Sequence, residues 1–85
     1  MTLRLRDDVS MVRTDTALVV LDERNGRYWQ LNPTAADILD DLLAGCGDAL
    51  AAERLARRCG IGPERAREDV ARLLATLVDS GVTAP

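Results

Sequence analysis

The sequence predicts an α+β fold in which a three-stranded antiparallel sheet is followed by three helices. Two observations lead to this class. β-branched and aliphatic residues with a hairpin turn occupy the first third of the chain, and apolar residues at helical spacing, punctuated by Gly and Pro, occupy the rest. Strands that precede helices in this way are typical of α+β domains. At 85 residues the chain has the length of one small domain, residues 1–85.

The sheet is predicted from strands at residues 9–13, 16–22 and 27–31. Gly26 can supply the positive φ that the turn between the last two strands needs. This turn pairs Val20 with Trp29, and side chains then alternate between two faces. A slip of one residue would exchange the faces. In the preferred register, the core face holds Leu18, Val20, Trp29 and Leu31, and the outer face holds Val19, Leu21, Tyr28 and Gln30.

The first helix is predicted to begin at Pro33, which suits a first helical turn, with Asn32 as its cap. Thr34 and Asp37 form a competing capping box. Gly45 ends the helix. Residues at helical spacing form its inner stripe: Ala35, Ile38, Leu39, Leu42 and Leu43.

Two further helices follow. Asp48 is the predicted cap of the second helix, and Pro63 opens a third helix that runs to about Ser80. The predicted inner faces are Ala52, Leu55, Ala56 and Cys59 in the second helix and Ala66, Val70, Leu73, Leu74 and Leu77 in the third.

The residue types leave little room for catalysis. The chain has no His, the usual acid–base group at neutral pH, and its two Cys cannot by themselves complete a four-ligand zinc site. We therefore expect a protein that is not an enzyme and binds no metal or cofactor. Cys46 and Cys59 are expected to be free thiols, with Cys59 buried, although a disulfide between them is possible. No apolar run is long enough for a signal peptide or a membrane span, so a cytoplasmic location is expected.

The charge pattern argues against nucleic acid and membrane partners. The net charge is −3, which disfavours polyanions and anionic lipid surfaces. The second and third helices resemble a helix-turn-helix, but the outer face of the third mixes Arg65 and Arg67 with Glu64 and Glu68. Glu64, Glu68 and Arg72, spaced four residues apart, instead predict a solvated row of salt bridges.

The strand at 27–31 is predicted to be an edge strand, because consecutive hairpins leave it without a second neighbour. An extended peptide can pair with such an edge. If the third helix lies beside the strand, its leucines form the other wall of a groove. Trp29 supports this interpretation, since Trp is enriched at binding hot spots. Composition and spacing favour equally an alternative in which Trp29 and the helix leucines belong only to the core.

Three runs carry a family resemblance: GRYWQLNPT at Gly26–Thr34, PERAREDV at Pro63–Val70, and the ending Gly81-Val82. Together they resemble the PqqD-like family over residues 9–82. The resemblance implies a winged-helix-turn-helix-like domain that acts as a leader-peptide recognition element for ribosomally made, modified peptides. Such a domain binds the leader as an added strand beside the third strand, in a cleft bordered by the third helix, and presents it to a processing enzyme.

Within the family, the chain is most similar to stand-alone members of lasso-peptide biosynthesis. The implied partners are the leader region of a precursor peptide and a leader peptidase of the cysteine protease type, or another modifying enzyme. A peptide chaperone of pyrroloquinoline quinone biosynthesis and a winged-helix DNA-binding protein are the alternatives. The expected peptide-binding residues belong to the third strand and the third helix: Arg27, Tyr28, Trp29, Gln30, Leu31, Asp69, Val70, Arg72, Leu73, Leu74 and Leu77.

Overall fold

The computed structural model describes residues 3–84. The strands form one antiparallel sheet in the order β1-β2-β3, and three helices follow, which confirms the predicted α+β class. The elements are β1 (Val9–Arg13), β2 (Leu18–Asp22), β3 (Arg27–Leu31), α1 (Pro33–Leu43), α2 (Asp48–Cys59) and α3 (Pro63–Asp79).

The register of the hairpin is the predicted one. Val20 pairs with Trp29, and Asp22 pairs with Arg27 across the turn. Gly26 has a φ of 65°, a left-handed conformation that favours glycine over residues with a Cβ. The sheet therefore presents the predicted residues to each of its two faces.

The strand β2 is shorter than predicted because its first residues belong to a turn. The Thr14 N–H donates to the Ala17 carbonyl at 2.8 Å, and the Ala17 N–H donates to the Thr14 hydroxyl at 3.1 Å. These bonds close a tight connection that includes Thr16, so β2 begins at Leu18.

The core lies between the inner face of the sheet and the three helices. Leu18 and Val20 supply the sheet's buried apolar side chains, and Val82 is fully buried after α3. The helices contribute Ala36, Ile38, Leu39, Leu42, Ala51, Ala52, Leu55, Ala66, Val70, Leu73 and Leu77.

Two helix faces differ from the prediction. In α1, Ala36 is buried and Ala35 only half-buried. In α2, Ala51 joins the inner face, and the predicted burial of Cys59 is wrong because this last helical residue is exposed. Alanines on adjacent positions fit two overlapping stripes, so spacing alone does not fix the rotation of such a helix.

Of the predicted caps of α1 and α2, the first is confirmed and the second is wrong. The Asn32 side chain accepts a hydrogen bond from the Ala35 N–H at 2.8 Å, as predicted for the start of α1. The predicted cap Asp48 is wrong, because Gly47 occupies the cap position and has no side chain to accept a bond. Asp48 instead lies in the first turn of α2, where its negative charge complements the helix dipole.

The two ends of the described chain pair with each other. The Arg6 N–H donates to the Val82 carbonyl at 2.9 Å, and the Ala84 N–H donates to the Arg4 carbonyl at 2.8 Å. An antiparallel bridge joins Leu5 and Thr83 between these bonds. This pairing holds buried Val82 beneath the sheet and leaves β3 untouched. Within residues 3–84, no helix has the length and apolarity needed to cross a membrane.

Candidate functional site

The direction of the backbone groups in β3 follows from the bonds of β2. The Glu23 N–H donates to the Asp8 carbonyl at 3.0 Å, and the Thr14 N–H donates to the Ala17 carbonyl at 2.8 Å. With the observed register, these bonds make the odd-numbered residues of β2 the partners of β1. The even-numbered residues of β2 therefore direct their N–H and C=O groups toward β3, where they bond Arg27, Trp29 and Leu31.

Tyr28 and Gln30 consequently direct their N–H and C=O groups to the outer edge of β3. Among residues 3–84, no strand pairs with this edge. The edge thus offers two donors and two acceptors, at alternate residues, to an extended chain.

The side chains of β3 divide between two environments. Trp29 and Leu31 are half-buried and pack against the core, whereas Tyr28 is 65% exposed on the opposite face. This division confirms the predicted alternation. A strand added at the β3 edge would therefore lie next to the Trp29 ring on the core-facing side of the sheet.

A cleft lies between β3 and α3 and contains two hollows. Leu31, Leu73 and Thr76 line both of them. The smaller hollow, about 130 Å³, lies toward the hairpin and is almost wholly apolar; its other lining residues are Val20, Trp29, Gln30, Leu77, Ser80 and Val82. The larger hollow, about 350 Å³, lies toward α1 and is also lined by Asn32, Thr34, Ala35, Ile38, Asp69 and Arg72.

Charged side chains lie at both ends of the cleft. At the hairpin end, the Arg27 guanidinium donates to the Ser80 carbonyl at 3.3 Å and lies over the Trp29 ring, 5.4 Å from its centroid. At the other end, Arg72 pairs with Asp69 at 3.2 Å. Among the ion pairs of residues 3–84, Arg72 bonds Asp69 and not Glu68, so the predicted salt-bridge row is wrong at this position.

Most of the expected site residues meet at the cleft, but the side chains of three do not. Tyr28 points to the outer face of the sheet. Val70 is buried in the core. Leu74 lines a separate hollow of about 280 Å³ with Leu3 and Leu42, on another side of α3. Thr76 also lines the cleft, on the same helical face as Leu73. It was not a predicted site residue, because its hydroxyl side chain does not belong to an apolar stripe.

A buried carboxylate supports the hairpin that carries β3. Asp22 is 1% exposed and accepts hydrogen bonds from the Arg6 guanidinium at 2.7 Å and the Asn25 side chain at 2.8 Å. The Asn25 side-chain bond does most to hold the pKa of Asp22 below its ordinary value of 3.8. Burial opposes this effect, while the Asn25 backbone N–H and the Arg6 charge add to it. The carboxylate therefore stays ionised and fixes the turn against the N-terminal segment.

The site offers backbone pairing and apolar contact. In the part of the chain that the structure describes, no three His, Cys, Asp or Glu side chains cluster closely enough to hold a metal ion. Cys46 and Cys59 are both free thiols.

Comparison with protein families gives a match that covers the whole cleft. The family model described as coenzyme PQQ synthesis protein D (PqqD) matches residues 17–82. The chain belongs to the PqqD family. A sequence comparison with curated proteins finds no match.

Two solved structures resemble this PqqD family member. A structure titled as lasso peptide synthetase B1 complexed with the leader peptide is 39% identical, covers all of both chains and has a TM-score of 0.93. A structure titled as TbiB1 in complex with the TbiA(beta) leader peptide is 18% identical, covers 94% of this chain and 93% of its own, and has a TM-score of 0.85. The second likeness concerns the fold alone.

Proposed function

We propose that this PqqD family member is a non-catalytic adaptor that binds the leader segment of a ribosomally made precursor peptide. The leader adds as a strand to the open edge of β3, where it pairs with Tyr28 and Gln30. The observation that carries the proposal is the position of this edge beside the apolar cleft. Main-chain pairing gives affinity to any extended peptide, and pockets for alternate side chains give specificity.

Similarity over the full length supports lasso-peptide biosynthesis as the setting. The structure that is 39% identical is described as a lasso peptide synthetase B1 with a bound leader peptide. The partner that receives the leader is then a leader peptidase or another modifying enzyme. The description of the family model favours a second candidate, a peptide chaperone of pyrroloquinoline quinone synthesis. Titration with leader peptides of both pathways separates the two.

The outer face of the sheet is a suitable surface for the processing enzyme. Val12 is 50% exposed and Tyr28 is 65% exposed on this face, and Val19 and Leu21 lie between them. A leader strand on β3 would extend the same face, so an enzyme docked there would contact both the adaptor and its cargo.

The test uses proline at one position on each sheet edge. Gln30→Pro removes an N–H that points to the open edge of β3, and we expect the affinity for the leader peptide to fall at least about tenfold. Met11→Pro is the matched control, because the Met11 N–H points away from β2 at the other edge. Isothermal titration calorimetry with the leader encoded beside this chain measures both affinities.

The proposal fails if the unmodified protein does not bind the leader peptide at tens of micromolar. Strand addition at β3 fails separately if Gln30→Pro and Met11→Pro bind the peptide equally well. Circular dichroism of both variants shows whether the sheet is retained.

A further inference from the structure

Arg27 connects the two walls of the cleft at its hairpin end. Its guanidinium lies over the ring of Trp29, which belongs to the β3 wall, at 5.4 Å from the ring centroid. The same group donates to the carbonyl of Ser80, the C-cap residue that follows α3, at 3.3 Å. One side chain thus spans from the strand to the helix where the apolar hollow ends.

Neutralising the buried carboxylate does not account for this position. Asp22 is already bonded by Arg6 at 2.7 Å, whereas Arg27 approaches it only to 3.8 Å. The Arg27 side chain is 55% exposed, and burial of its own atoms therefore contributes little. Its shorter polar contact is with the Ser80 carbonyl at 3.3 Å, and its guanidinium lies over the Trp29 ring.

The opposite end of the cleft is built differently. Arg72 is held by Asp69 on the same helix, one turn away, at 3.2 Å. The hydrogen bond from Arg27 to Ser80, in contrast, links β3 to the end of α3. The cleft is therefore closed across its hairpin end by Arg27 and bordered at its α1 end by a pair confined to α3.

We propose that Arg27 is a positioning residue for the bound leader strand. It closes the cleft at the hairpin end and fixes the Trp29 ring, so that one apolar side chain of the peptide enters the smaller hollow in a defined register. The inference rests on the proposed function and deepens it, because it assigns selection of register to a side chain outside the pairing backbone.

Arg27→Gln tests the inference, and Arg24→Gln is the matched control. Arg24 lies in the turn of the same hairpin, is 63% exposed and pairs with Asp8 at 2.7 Å, away from the cleft. We expect Arg27→Gln to weaken leader binding roughly three- to tenfold, the scale of one cation–π contact and one hydrogen bond. Arg27→Lys should recover part of the affinity, since it restores the charge but not the guanidinium geometry.

Two further measurements distinguish positioning from a loss of stability. An alanine scan of the peptide identifies the apolar residue that matters most, and the effect of its replacement should be smaller in Arg27→Gln than in the unmodified protein. The emission spectrum of Trp29, the only Trp, should shift in free Arg27→Gln and not in Arg24→Gln. Melting temperatures of both variants serve as the stability control.

The outcomes are distinct for the two proposals. If the unmodified protein binds no leader peptide, the proposed function fails. If it binds and Arg27→Gln binds equally well, or if the effects of Arg27→Gln and of the peptide replacement simply add, the positioning role of Arg27 is overturned.

Discussion

At the scale of single residues, Asp22 and Arg27 show how charge organises a hairpin with few aromatic side chains. Asp22 faces Arg27 across the sheet and also bonds Arg6 and Asn25, so one carboxylate joins the N-terminal segment, the turn and β3. A buried carboxylate needs such partners, because an unpaired charge in the interior is costly. The hydrogen bond from Arg27 to the Ser80 carbonyl then links the start of β3 to the end of α3.

The pH dependence of stability should show the contribution of the ionised Asp22 carboxylate. Its folded-state pKa lies below 3.8, so its stabilising effect is present above that value and is lost as the pH falls through the lower folded pKa. We expect the Asp22→Asn variant to unfold at a lower urea concentration than the unmodified protein at pH 7. The difference between the two urea midpoints should become smaller in acid.

Asp7→Asn is the control for this experiment, since Asp7 is an exposed carboxylate of the same N-terminal segment. Urea unfolding followed by circular dichroism at pH 7 and at acidic pH gives both midpoints. If the difference between the urea midpoints of Asp22→Asn and the unmodified protein stays constant across this pH range, the lowered pKa of Asp22 is contradicted.

At the scale of elements, the sheet was more predictable than the helices. Strand alternation has a period of two, and the turn that ends at Gly26 favoured the register in which Trp29 faces inward, although a slip of one residue would have exchanged the faces. The rotation of α2 did not, because its alanines allow two stripes. The Asp22 network also could not be derived, since its partner Arg6 lies outside any strand, sixteen positions away.

The same limit explains the division of the α3 leucines. Leu73 and Leu74 are adjacent, and spacing places both on one broad apolar stripe. The structure sends Leu73 to the cleft and Leu74 to the hollow beside Leu3. The deciding neighbours are β3 and the terminal segment, which are distant in the chain. The local spacing of apolar residues therefore predicted the helix, but it did not predict which side of the helix borders the cleft.

Paired substitutions on α3 test which side borders the cleft. Thr76 lines both hollows, whereas its exposed neighbour Ala75 lines neither. We expect Thr76→Arg to fill the cleft and lower leader affinity at least about tenfold, and Ala75→Arg to change it by no more than about twofold. Calorimetric titration measures both. Equal affinities in the two variants would exclude this face of α3 as a wall of the binding site.

At the scale of the whole molecule, β3 serves two surfaces at once. Its edge and inner side chains face the cleft, while Tyr28 on its outer face belongs to the sheet surface that the helices leave open. The two surfaces meet along one strand. The proposed adaptor role needs this arrangement, because the leader and the processing enzyme must be held close together without competing for the same atoms.

The separation of the two surfaces gives the last prediction. Val12 lies on the outer face of β1 and is 50% exposed, with β2 between it and β3, whose open edge is the proposed leader site. We expect Val12→Asp to change leader affinity by no more than about twofold, since it is a surface change remote from the cleft. It should nevertheless slow cleavage of the bound leader, because a charge in the apolar face opposes docking of the peptidase.

Met11→Asp controls for the added charge. Met11 is 42% exposed on the same strand, but its side chain points to the other face of the sheet. Cleavage rates measured with the purified peptidase and saturating leader should fall for Val12→Asp and not for Met11→Asp. Equal rates in the two variants would exclude the outer face as the docking surface. A matched loss of leader affinity in Val12→Asp would show instead that the sheet transmits changes to the cleft, and that the two surfaces are not independent.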